Sequence, residues 1–116
     1  MIKLKRAYDE PTAGDGYRIL VDRLWPRGLT KAKSRIDLWL KDVAPSTGLR
    51  RRFGHDPDKW ERFEKEYWAE LKERRDAVRE IETKASLGTV TLIYAARDPE
   101  HNNAVALSKF IARDRA

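Results

Sequence analysis

The chain has no cysteine. That absence excludes disulfides, thiol nucleophiles and thiolate metal sites together. It fits a reducing compartment, and a cytoplasmic location is the expectation. Histidine is scarce as well. His55 and His101 stand far apart and define no ligand spacing, so no metal site is expected. A carboxylate-held magnesium ion needs few protein ligands and stays open. No run approaches the roughly 20 apolar residues of a membrane span. The N-terminal Met1-Ile2-Lys3-Leu4-Lys5-Arg6 lacks the apolar core of a secretory signal, and no membrane partner is expected. A glycine-rich phosphate loop and a nucleophile elbow are both missing. So are low-complexity tracts, internal repeats and interdomain linkers. The residues name no cofactor and no oligomeric state.

What is present is charge. Charged residues make up 38% of the chain, well above the roughly 25% of soluble domains. The signs are mixed and the apolar residues are periodic, which argues for a folded chain. A length of 116 residues suits one domain, spanning 1–116. Such a chain buries about two-thirds of its extended surface and holds a core unaided. The net charge of +6 favours anionic partners, from a phosphate-bearing metabolite to RNA or DNA. Basic residues interleave with acids, so nucleic acid ranks below a small anion.

Ile2 and Leu4 alternate with lysines, as on a half-buried or edge strand. Glu10 to Gly16 holds Pro11, Gly14 and Asp15 and reads as a loop. Tyr17 to Asp22 reads as a central strand, with Ile19, Leu20 and Val21 buried on both faces. Thr30 caps a short helical turn, and Ile36 to Leu40 is a short strand candidate. Ser46 is a good N-cap for a helix running to about Phe53, with Gly54 at its C-cap position. Asp56-Pro57 starts a long helix. Its apolar stripe runs through Trp60, Phe63, Tyr67, Leu71, Val78, Ile81 and Ala85, with a lapse at Arg74. Unbroken to Ala85 it would measure roughly 43 Å at 1.5 Å per residue, longer than so small a domain. A break is therefore predicted near Glu73–Asp76. Val90 to Ala96 is the best strand in the chain. A final helix begins near Asn102 or Asn103. The four tryptophans read mostly as core, with Trp25 and Trp68 the more exposed. Helices between strands point to an α/β fold with a mainly parallel sheet of about four strands.

Ligands in such sheets bind beyond the carboxyl ends of the strands. The segments expected there are Arg23–Leu29, Lys41–Ser46 and Arg97–Asn102. The first contains Asp22-Arg23-Leu24-Trp25-Pro26-Arg27-Gly28. Proline stiffens it and glycine permits unusual backbone angles. A rigid loop would aim two guanidinium groups, which suit carboxylate or phosphate. The alternative is a tryptophan lid on the core, with the arginines in structural ion pairs. Arg23, Arg27 and Arg97 are the expected anion ligands, assisted by Lys41 and by the helix starts at Ser46 and Asn102. Arg23 and Arg97 could instead pair with Asp22 and Asp98. Asp98 is the candidate acid–base residue, although a helix cap is the commoner use of a short acid there. Arg50-Arg51-Arg52 cannot share one helix face, and a solvated face is favoured over a nucleic-acid contact. For His55, the surrounding helix-start residues explain most of the pattern.

Together these segments resemble the YeaO-like family of small bacterial and archaeal proteins, a domain of unknown function. The resemblance rests on Asp22 to Gly28, Trp39 to Ser46, Leu49-Arg50 and Phe53 to Asp56. It continues through Trp60, Phe63, Tyr67, Glu70 and Leu71 to Val90–Asp98 and Asn102-Asn103-Ala104. Arg52 departs from it, standing where similar proteins often carry an aromatic residue. The resemblance implies a single α/β domain and supplies no activity. The residues themselves favour an anion-recognising domain, with catalysis on a phosphorylated or carboxylated small molecule as one form of it. An electrostatic RNA- or DNA-binding module and a protein-interaction domain are the alternatives.

Overall fold

In the computed structural model, which describes residues 1–114, four parallel strands form one sheet in the order β1–β4–β2–β3. The expected domain span of 1–116 runs two residues past the described segment. The strands are β1 (Ile2–Arg6), β2 (Tyr17–Leu20), β3 (Leu38–Trp39) and β4 (Val90–Tyr94). The helices are α1 (Lys31–Ser34), α2 (Thr47–Phe53), α3 (Trp60–Lys72), α4 (Arg75–Leu87) and α5 (Asn103–Asp114). The α/β class and parallel sheet read from the sequence are those observed.

β4 lies inside the sheet because all five of its residues are buried. Its inward positions, Val90 and Leu92, join Ile19 and Val21 in the main core beneath α2 to α5. Leu20 and Ile93 point the other way, into a smaller cluster covered by Trp25, Leu29, Ile36 and Trp39. Three consecutive apolar residues at the end of β2 thus serve both faces.

Three strands are shorter than the sequence reading, and β2 ends at Leu20 rather than Asp22. β4 stops at Tyr94 because the next amide, Ala95 N–H, donates to the Asp22 carboxylate at 2.9 Å instead of to a strand. β3 is reduced to Leu38–Trp39, paired with Ile19 and Leu20. The long helix breaks where its stripe lapses. α3 buries Phe63, Tyr67 and Leu71, α4 buries Val78, Ile81 and Ala85, and Glu73 and Arg74 lie between. The fold thereby keeps to 35 × 34 × 20 Å. None of the four tryptophans is fully buried. Each of three keeps its indole N–H near a carbonyl it can reach: Leu29 for Trp25, Asp22 for Trp39 and Ala106 for Trp68.

A charged cluster lies on the second face of the sheet. Arg18, 3% exposed, donates to Asp15 at 2.6 Å and to the Ser34 carbonyl at 2.9 and 3.1 Å. Lys5 donates to both oxygens of Asp15, and Thr12 adds its N–H and hydroxyl. Burial pushes the Asp15 carboxyl up. The bonds from Lys5, Thr12 and Arg18 outweigh it and hold the group well below the usual carboxylate range. Gly16 follows with φ +62, and a side chain there would run into the Thr89 carbonyl.

Asp15→Ala is expected to cost about 3–5 kcal/mol, because it leaves Arg18 buried without its counter-charge. Urea denaturation of the two proteins measures this. The sign with pH follows from the depressed folded value. The stabilisation is full above the unfolded pKa of about 3.9 and is lost as pH falls below it. The wild type should therefore lose stability below about pH 4, and the variant should show a flatter acid limb. Gly16→Ala should also destabilise, through both the clash and the left-handed backbone.

Candidate functional site

The chain leaving β2 runs toward β3 at one edge of the sheet. The chain leaving β4 enters α5, which packs on β4 and β1. Connections from the two neighbouring strands therefore diverge between β2 and β4, which is where open parallel sheets hold ligands. A cavity of about 740 Å³ opens there, within the roughly 300–1,000 Å³ of small-molecule sites.

Most of its wall comes from four places in the chain, with Tyr8, Pro45 and Phe63 completing it. The segment after β2 gives Asp22, Arg23, Trp25 and Arg27. The helix α2 and its exit give Arg50, Arg51, Phe53 and His55. The end of β4 gives Ala95, Ala96 and Arg97, and the start of α5 gives Asn102 and Asn103. Among the described residues the wall carries five arginines and one carboxylate, Asp22. Of the side chains described, no acid pairs with Arg27, Arg50, Arg51 or Arg97.

The loop after β2 is held rather than loose. Tyr8 donates its hydroxyl to the Arg27 carbonyl at 2.8 Å, and Trp25 donates to the Leu29 carbonyl at 2.6 Å. Trp25 and Trp39 meet edge to face at 5.4 Å. Pro26 is buried and Gly28 takes φ +77. The loop is thus both a tryptophan lid on the smaller core and a mount for arginines. Arg23 is anchored: its guanidinium donates to the Pro45 and Ala44 carbonyls at 3.3 and 3.4 Å.

The alternative, in which Arg23 or Arg97 pairs with Asp22 or Asp98, is not what the side chains do. Asp22 accepts from Ala95 N–H at 2.9 Å and from Asn103 Nδ2 at 3.0 Å. Burial raises the pKa of this carboxyl. Its two hydrogen bonds, with Arg50 and His55 nearby, recover only part of that shift. Asp98 instead accepts from the Glu100 and His101 amides and faces the His101 ring at 2.8 Å. These bonds, the Glu100 amide foremost, lower its pKa. It is a turn-forming acid outside the cavity wall, as short acids ahead of helices usually are.

Of the sequence candidates, Arg23, Arg27, Arg97 and Asn102 come together on the cavity. Asn102 is buried and caps α5, accepting from Val105 N–H at 3.0 Å. Lys41 lies elsewhere, its ammonium 4.0 Å from the centre of the Trp39 ring. Ser46 is already engaged. Its N–H and hydroxyl donate to the Glu70 carboxylate at 2.8 and 2.6 Å, so an internal anion fills that helix start. The sequence reading passed over four contributors. Asp22 looked like an ion-pair partner, and Arg50 and Arg51 looked like a solvated run. His55 looked like helix-start chemistry, although it takes φ +57, rare for a residue with a side chain. The available signal was its place directly after the Gly54 C-cap, where the chain must turn sharply.

Among the described residues, no three His, Asp or Glu side chains gather to hold a metal ion, and no helix is long and apolar enough to cross a membrane.

A family model described as the inactive DUF488-N3 subclade matches residues 1–116. The uncharacterized protein YeaO of Escherichia coli is 38% identical over 110 residues, covering 95% of this chain and 96% of that one. The uncharacterized protein Rv3073c of Mycobacterium tuberculosis is 34% identical over 110 residues, covering 95% and 92%. No solved structure matches.

The anchoring predicts a split among the arginines. Arg23→Ala should cost about 1 kcal/mol through the stranded carbonyls. Arg27→Ala and Arg97→Ala, both at exposed positions, should stay within about 0.5 kcal/mol of wild type. Thermal denaturation of the three variants reads this directly.

Proposed function

The chain belongs to the YeaO-like family, in the group described as the inactive DUF488-N3 subclade, and from that premise we propose that it is an anion-recognising domain that binds without turnover. The observation that carries this reading is the cavity between β2 and β4. Four of its five arginines have no acidic partner among the described residues. Keeping that many guanidinium groups around one concavity is electrostatically unfavourable until an anion enters. Planar donors from three separate elements suit a carboxylate or phosphate. Arg27 and Arg97 are the primary ligands, Arg50 and Arg51 add to the field, and the anchored Arg23 and the buried Asn102 shape the wall.

Binding is favoured over catalysis for two reasons. The subclade is described as inactive. Asp98, the acid–base candidate, is outside the wall and bound to its own turn. A nucleic-acid role is less well supported. The basic face of α2 and α3 could extend the cavity's field, but Arg52 and Arg62 share Glu66, at 2.7 and 2.9 Å, which offsets half of their charge.

The reading predicts stabilisation by mass action. Millimolar sulfate, pyrophosphate or citrate should raise the melting temperature, and added sodium chloride should erode the effect. The Arg27→Ala/Arg97→Ala double variant should keep its fold and lose most of the shift. Equal shifts in wild type and double variant, or none in either, would refute the site.

A further inference from the structure

We infer that the ligand is a nucleoside monophosphate, and that Asp22 selects it over simpler anions. This rests on the anion-site reading above and adds the class of ligand.

A cavity built for a bare anion gains nothing from a carboxylate in its wall, yet Asp22 is there, half-buried beside the arginines. It is not required there as an arginine partner, because its described bonds go to Ala95 N–H and Asn103 Nδ2, one to each oxygen. A carboxylate has about four lone-pair sites, so acceptor capacity remains on both oxygens. A ligand that donates an N–H or O–H can use that capacity in place of water. For a donorless anion, Asp22 is a repulsive element, and repulsion of the wrong ligand is half of specificity. The raised pKa of this carboxyl agrees with a group whose charge lacks full compensation until a donor arrives.

The rest of the wall describes the body of the ligand. Trp25, Phe53, Phe63, Ala95 and Ala96 give it apolar and aromatic surface. Phe53 and Phe63 stack at 4.4 Å and are buried, so they form a firm floor, and Trp25 is the half-buried ring that joins them in the wall. A sulfate or phosphate ion would leave most of 740 Å³ unfilled. A base with its ribose occupies more of it, and stacking on aromatic side chains tolerates any base. Arginines from three elements of the same wall exceed what one monovalent carboxylate would balance. A phosphomonoester is close to dianionic at neutral pH. An anionic group, a flat apolar ring and N–H or O–H donors are the parts of a nucleoside monophosphate.

The test is isothermal titration of the full chain at fixed ionic strength with AMP, GMP, CMP, UMP, ribose 5-phosphate and sulfate. At least one nucleotide should bind at least tenfold more tightly than ribose 5-phosphate and sulfate. Asp22→Asn should move the two kinds of probe in opposite directions, weakening that nucleotide about tenfold and tightening sulfate. A merely structural Asp22 would weaken both together, and that result overturns its selecting role. If circular dichroism shows that Asp22→Asn does not fold, the wild-type ranking decides. No nucleotide tighter than ribose 5-phosphate overturns the proposal. Sulfate binding that depends on Arg27 and Arg97, without a nucleotide preference, removes this inference and leaves the anion site standing. No binding by any of the six probes removes both.

Discussion

Three separate elements are joined through the side chain of Asp22. It leaves the end of β2, takes the first amide past β4 on one oxygen, and takes the Asn103 side chain at the start of α5 on the other. Its own carbonyl receives the indole N–H of Trp39. The strand ladder between β2 and β4 therefore ends on a side chain, and the two strands part at that point. The opening between them is the cavity. Without an acceptor at this position, the Ala95 amide would need another partner, and the gap at the centre of the sheet would have no fixed mouth.

The buried Asp15 and the half-buried Asp22 show how differently one residue type can be used. Asp15 sits with Lys5 and Arg18 and takes every bond its oxygens can accept, and the charged form is strongly favoured. Asp22 has amide partners only, and the charged form is disfavoured. The first has no capacity left for a visitor and serves the fold. The second keeps capacity to spare, and it faces the opening. Burial is similar in kind for both; the number and charge of the donors separate them.

Much of this was legible in the residues. The caps at Ser46 and Gly54 mark the ends of α2 because their chemistry is local, while Asp56 caps a 3-10 turn, Pro57–Lys59, that leads into α3 rather than α3 itself. The lapse at Arg74 marks the break between α3 and α4 because one missing apolar step exposes a helix face. The grouping of Arg23, Arg27 and Arg97 follows from the rule that parallel strands carry their sites at one end. What the residues did not disclose depends on distant partners. Glu70 closing the Ser46 helix start is a contact across 24 positions, and Asp22 meeting Ala95 spans 73. Local patterns carry no trace of either. Nor does an arginine run reveal that Arg52 turns to Glu66 while its neighbours face the cavity.

The strand order also sets a schedule. β4 is the inner strand on which β1 and β2 both pair, yet it lies some seventy residues after β2 in the chain. On a ribosome adding about 5–20 residues per second, the early strands wait on the order of ten seconds for it. Until then each presents an unsatisfied edge, and α2 to α4 have no complete sheet to pack on. Lys3, Lys5 and Arg6 in β1 place charge along that waiting edge, which discourages pairing with another nascent chain. Assembly becomes a single late event: the insertion of one apolar strand closes the sheet, the core and the ligand cleft together.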